Sequence, residues 1–202
     1  MKKALTILGL GALAVLCALP VLTLGVSAAS LYYVMAKCLR RGRGCPFQEF
    51  FRAFRQNLLT GLGLTVILAL LLVVAYFSAL YLVNSPLSVL VTAFYALTLA
   101  LSLFFALATA ALAFPALSRF RFKAGQLLGF SLRLIRRGAP RALVLMLITA
   151  AAAFAAYLFP PAALILAGPL AYCATFLAEP LLRSFTPEKD AFPEGTDTWF
   201  LE

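Results

Sequence analysis

The chain has 202 residues, of which 64% are hydrophobic, with a mean hydropathy of +1.01 and a formal net charge of +10. That composition leaves too little polar surface for a soluble globule. The positive excess would suggest nucleic acid on a soluble protein. Here the lysines and arginines flank apolar stretches, where they mark the cytoplasmic side of a membrane and meet anionic headgroups, so nucleic acid is not an expected partner.

No charged side chain lies between Lys3 and Lys37, between Arg55 and Arg119, or between Arg141 and Glu179, runs of 33, 63 and 37 residues. A helix rises about 1.5 Å per residue and the hydrocarbon core is roughly 30 Å thick, so about 20 apolar residues cross it. The chain therefore reads as a multi-pass membrane protein.

The amino terminus, Met1-Lys2-Lys3 before an apolar stretch and Val26-Ser27-Ala28, imitates a secretory signal with a small-residue cleavage site. Leu16 before Cys17 disfavours the lipoprotein variant. The apolar stretch continues through Leu31, Tyr32, Tyr33, Val34 and Met35, and Pro20 to Gly25 reads as a corner. An uncleaved membrane segment is expected.

Neutral corners at Pro20–Gly25, Asn84-Ser85-Pro86 and Phe159-Pro160-Pro161 alternate with basic segments at Lys37–Arg55, Arg119–Arg141 and from Arg183 onward. Crossings between them fall near 4–19, 24–38, 57–83, 86–117, 140–158 and 162–184. Both termini and all 17 lysines and arginines then lie inside, as the positive-inside rule requires. The first pair is short, about 22 Å each. A shallow re-entrant hairpin is preferred there over one long tilted helix, which would strand Lys2 and Lys3 outside. The expected fold is all-α: a polytopic transmembrane helix bundle with five to six membrane segments and two cytoplasmic interfacial amphipathic helices. Residues 1–185 form one membrane domain and 186–202 an acidic polar cytoplasmic tail that ends near Trp199 and Phe200.

In the first interfacial helix Phe47, Phe50, Phe51, Phe54 and Leu58 recur at helical spacing, opposite Gln48, Glu49, Arg52, Arg55 and Gln56. In the second, Lys123, Gln126, Arg133 and Arg137 share a face, with Phe122, Leu127, Leu128, Phe130, Leu134 and Ile135 supplying apolar area. Aromatics opposite arginines describe a helix in the membrane plane. Phe47, Phe50, Phe51, Arg52, Phe54, Arg55, Lys123, Arg133, Arg136 and Arg137 are thus candidates for lipid or partner contact. Arg52 and Arg55 match Arg133 and Arg136 in spacing, so a crossing, a basic helix and a crossing recur. Parallel repeats occur in transporters. The plainer reading, that any inside loop carries arginines, is preferred.

Chemistry is scarce. The chain has no histidine, and Glu49 is the one acidic residue before position 179. Catalytic residues, metals and cofactors are not expected. Cys17 and Cys173 lie in apolar segments and Cys38 and Cys45 in a basic loop, without a disulfide framework. Glu179 is either a buried acid that holds a cation or partner, or an acid at the cytoplasmic end that pairs with Arg183 one turn on; the second is preferred. Gly9, Gly11, Gly61 and Gly63 permit close helix approach. Gly125 and Gly129 have dimer spacing outside a convincing span. Tyr32, Tyr33, Tyr76 and Tyr81 read as interfacial or packing aromatics.

The stretches Leu19–Gly44, with its Leu-Pro corner, Tyr-Tyr pair and basic turn, and Pro46–Gly61, rich in phenylalanine, closely resemble the signature of the YesL family of bacterial membrane proteins. Phe114-Pro115 before Arg119-Phe120, and Pro140-Arg141, fit it too. The resemblance spans nearly the full length and is loosest in the tail. The family's usual leader before the first helix is almost absent here. The family is one of unknown function, and its members often accompany carbohydrate importers of the ATP-binding-cassette (ABC) type. The scarcity of chemistry and the basic flanks point to a non-enzymatic protein that meets the lipid bilayer and its anionic headgroups, and the resemblance adds a role as accessory of the bacterial cell membrane with a sugar importer permease as partner. The alternative is a small solute transporter or channel.

Overall fold

The computed structural model describes residues 2–84, 88–120, 124–183 and 185, and every regular element among them is helical. Helix α1 (Lys2–Cys17) turns through a short 3-10 stretch into α2 (Leu24–Val34), which continues as a π-helical turn, Met35–Arg40. A glycine-rich loop leads to α3 (Pro46–Gln56) and then α4 (Leu58–Asn84). Helix α5 (Val89–Ala108) passes through a second π turn, Thr109–Ala113, into the short α6 (Phe114–Leu117). The chain closes with α7 (Ala124–Arg137), α8 (Ala139–Leu158) and α9 (Pro160–Arg183).

Four helices are long and apolar enough to cross a membrane: Leu58–Asn84, Val89–Leu117, Ala139–Leu158 and Ala163–Arg183. Their bounds fall within a few residues of the sequence expectation, because charge stops where hydrocarbon would begin. Their outer surfaces stay apolar and exposed. Leu90 is 83% and Phe94 64% exposed, a coat that fits lipid and not water.

The first two helices form a hairpin and not a single long helix. The Thr23 hydroxyl closes its corner by donating to the Cys17 and Pro20 carbonyls at 2.6 and 2.7 Å. At the start of α2 the Gly25 N–H donates to Thr65 Oγ1 at 3.0 Å, and Thr65 donates to the Gly61 carbonyl at 2.9 Å. From Thr65 to Asn84, α4 runs on for 19 residues, about 28 Å of helix. The hairpin tip therefore stops well short of the neutral end of α4. Of the six expected crossings, the last four correspond to helices long and apolar enough to cross a membrane and the first two make this hairpin.

Helix α2 occupies the centre, in contact with α1, α3, α4, α6 and α9. Its small residues Gly25, Ser27, Ala29 and Ser30 are buried, and the two serine hydroxyls bond to backbone carbonyls, Ser27 to Ala14 and Ser30 to Val26. That removes the penalty of placing hydroxyls in an apolar interior. Helices α1 and α9 cross at Gly11 and Gly168, where a Cβ on either residue would collide with the opposite backbone. Gly61 makes the same close approach to Val26. The buried core collects at the basic end, around α2, α6, α7 and the near ends of α8 and α9.

Gly11→Leu is expected to destabilise the bundle by about 1–3 kcal/mol or more, since overpacking here presses on backbone. Gly129→Leu should cost far less, because nothing lies within 4 Å of a Cβ there. Thermal unfolding of both variants in detergent checks the contrast.

Candidate functional site at the basic end

The chain has two acidic residues outside the tail, and both are clasped at the same end of the bundle. Glu49 lies in the first turn of α3, where a carboxylate suits the positive end of the helix dipole. Its Oε2 pairs with Lys37 Nζ at 3.2 Å and accepts a hydrogen bond from the Tyr33 hydroxyl at 3.1 Å. Lys37 Nζ also donates to Tyr33 Oη at 2.9 Å. Lys37 is buried, so this triangle fastens α3 to α2 with its charges matched.

The second clasp joins three distant segments. Glu179 on α9 is buried, and its Oε2 accepts from Arg41 Nη2 at 2.9 Å. Its Oε1 pairs with Arg119 Nη2, and the Arg119 side chain is wholly enclosed. Arg40 adds a further tie: Nη1 donates to the Thr175 carbonyl at 2.9 Å, and its guanidinium lies 4.7 Å from the centre of the Phe176 ring. The hydroxyl of Tyr32 is buried in the field of the same charges, without a hydrogen-bond partner among the described residues. Burial pulls the Arg41 guanidinium down from its ordinary value, and the Glu179 charge opposes that shift.

Local backbone chemistry aims these arginines. Arg40 is the last residue of the first π turn and Arg41 follows it directly, whereas α6 (Phe114–Leu117) stands between the second π turn and Arg119; π turns of this kind are frequent at functional sites. After the first, Gly42 at φ +70° and Gly44 at φ +81° take the left-handed conformation that side chains disfavour. The Arg43 N–H bonds back to the Lys37 carbonyl at 3.2 Å, which ends the helix and leaves Arg40 and Arg41 facing α9.

These contacts correct two sequence expectations. Glu179 does not pair with Arg183: among the described residues no ion pair joins them, and its partners come from the loops after α2 and α6. Local spacing made Arg183 visible, whereas the true partners are 138 and 60 residues away. Phe50 is fully buried against Leu10, Val34 and Met35 and cannot meet lipid or a partner. Its spacing marks the apolar face of α3, and that face is shared between the bundle and the outside. Phe47 and Phe51 remain half exposed, Phe54 is partly buried, and Arg52 and Arg55 are exposed. On α7, Leu127, Phe130 and Leu134 pack into the core while Arg133, Arg136 and Arg137 face outward, Arg137 lying 5.2 Å from the centre of the Phe185 ring. Lys123, Phe122 and the tail from 186 lie outside the described residues. Sequence reasoning missed Arg40, Arg41 and Arg119 as site residues; their place at the edges of uncharged runs was the available signal.

Residues 6–79 match the family described as "Protein of unknown function, DUF624". The DUF624 match covers the hairpin, the Lys37–Glu49 clasp, Arg40 and Arg41, and stops before Arg119 and Glu179. No curated protein and no solved structure matches the chain.

Removing one partner from a buried ion group leaves the others uncompensated, which costs about 3–5 kcal/mol. Glu179→Gln is therefore expected to lower the unfolding midpoint in detergent sharply. Arg136→Gln, on the exposed face of α7, should shift stability by no more than about 0.5 kcal/mol.

Proposed function

We propose that the chain is a non-enzymatic accessory protein of the bacterial cytoplasmic membrane, a member of the YesL family, working beside a carbohydrate importer of the ABC type. Its basic end faces the cytoplasm. Helices α3 and α7 lie at that surface with Arg52, Arg55, Arg133 and Arg136 outward, and Phe47 and Phe51 reach toward the headgroup region. The arginines meet lipid phosphates or an acidic surface on the importer, while the apolar flanks of α4 and α5 offer area for lateral helix packing. The observation that carries this reading is the division of charge. The two carboxylates are spent on internal clasps, whereas both amphipathic helices turn their arginines out at one end. The resemblance of Leu19–Gly61 to the YesL signature supplies the importer as partner.

A second reading, a small transporter, draws on one feature. A helix, a π turn, an amphipathic helix and a span follow one another over 24–84 and again over 89–158, the second time with the short α6 inserted after the π turn. Each copy sends one arginine to Glu179. Parallel repeats of that kind enclose solute pathways in transporters.

Affinity purification from the native host in mild detergent separates the two. Importer permease at near-stoichiometric yield is the expected result; a lone protein that moves solute in liposomes would favour the second reading. Orientation has its own check, because Cys45 is exposed in the basic loop. In a variant that keeps only that cysteine, a membrane-impermeant thiol reagent should label Cys45 after permeabilisation and not in intact cells.

A further inference from the structure

Beside the Glu179 clasp, and outside it, lies an open cavity of about 430 Å³. It is lined by Lys3 and Thr6 from the first turns of α1, by Arg40, Arg41 and Gly42 at the end of the first π turn, and by Pro46 at the start of α3. Among the described residues, three cations and no carboxylate line it. The amino-terminal ends of two helices also meet there, and each brings partial positive charge from its leading N–H groups. A lysine in the first turn of α1 works against that helix's own dipole, and among the described residues of the lining the charge is positive, with Glu179 behind Arg41 and Glu49 in the first turn of α3 as the nearby described carboxylates.

The arginines of the wall are already held in place. Arg41 is fixed by Glu179 at 2.9 Å, and Arg40 by the Thr175 carbonyl at 2.9 Å and the Phe176 ring. A guanidinium carries five N–H donors in a rigid fork, of which the Thr175 contact of Arg40 uses one, and the fork matches the oxygens of a phosphate. Cations ordered in advance lose little freedom when a ligand arrives, which favours affinity. The volume falls in the range of small-molecule sites, about 300–1,000 Å³, and exceeds what a bare phosphate needs.

We propose that this cavity binds a phosphate ester with a small polar headgroup, held by Lys3, Arg40 and Arg41. The ester comes either from a soluble metabolite on the basic side or from an anionic lipid whose headgroup enters from the membrane surface. The phosphate chemistry is common to both sources. The site is distinct from the outward arginines of α3 and α7 and does not depend on an importer.

The full chain in phosphatidylcholine nanodiscs is titrated with glycerol 3-phosphate by calorimetry. In parallel, native mass spectrometry counts phosphatidylglycerol retained from mixed nanodiscs. Binding of glycerol 3-phosphate assigns the soluble source, and selective retention of phosphatidylglycerol alone assigns the lipid. In either case Lys3→Glu and Arg40→Gln should each weaken binding by about tenfold or more, ~1.4 kcal/mol. Arg133→Gln/Arg136→Gln should leave it unchanged. Lys3 is exposed at a helix start, so its variant keeps the fold even if the Arg40 variant loses stability. The proposal is overturned if the unaltered protein neither binds glycerol 3-phosphate at millimolar concentration nor prefers phosphatidylglycerol, or if Lys3→Glu binds as tightly as the unaltered chain.

Discussion

A carboxylate on a membrane-spanning helix must either lose its charge or find a cation, because hydrocarbon solvates neither ion nor dipole. Glu179 finds two. Arg41 arrives from the end of the amino-terminal hairpin and Arg119 from the end of the α5–α6 span, and both meet the carboxylate near the basic end of α9. Segments far apart in sequence are thereby fixed at one point. The apolar faces around them could slide against lipid or protein with little preference, since both are equally greasy. Direction comes from the ions.

That constraint explains where the molecule is tightly packed. The buried side chains gather near the clasp, from Met35 and Phe50 on one side to Leu127, Leu134 and Leu182 on the other. At the neutral end α4 and α5 touch mainly each other, through the stacked rings of Tyr81 and Tyr95 at 5.0 Å. The Lys37–Glu49 pair repeats the device on a smaller scale and fastens α3 across the hairpin. Arg41, one of the two arginines that close the clasp, also lines the basic cavity. An anion in the cavity and the carboxylate of Glu179 would therefore draw on the same Arg41 guanidinium.

Much of the architecture was legible in the residues. Uncharged runs bounded the spans because burying an isolated charge in hydrocarbon is prohibitive, and the expected 57–83 became Leu58–Asn84. Both amphipathic helices were visible from phenylalanine and arginine spacing. The shortness of the first two segments already pointed to the hairpin. What the pattern could not carry was the partner of an apolar or charged face. Phe47, Phe50 and Phe51 look alike in sequence, yet Phe50 faces the bundle and the others face outward. Glu179 advertised Arg183 because helical neighbours are readable, while a contact across 138 residues depends on how the whole bundle closes. The π turn Met35–Arg40, at whose end Arg40 and Arg41 meet α9, leaves no mark in hydrophobic periodicity.

The clasp is tested most directly by a double-mutant cycle on Glu179→Leu and Arg119→Met, followed by reversible unfolding in detergent. If the two side chains share one buried ion group, the double variant will be less destabilised than the sum of the singles, by a coupling of about 0.5–3 kcal/mol. Additive effects, within about 0.5 kcal/mol, would mean that they do not meet, and the arrangement of the basic end described above would be wrong.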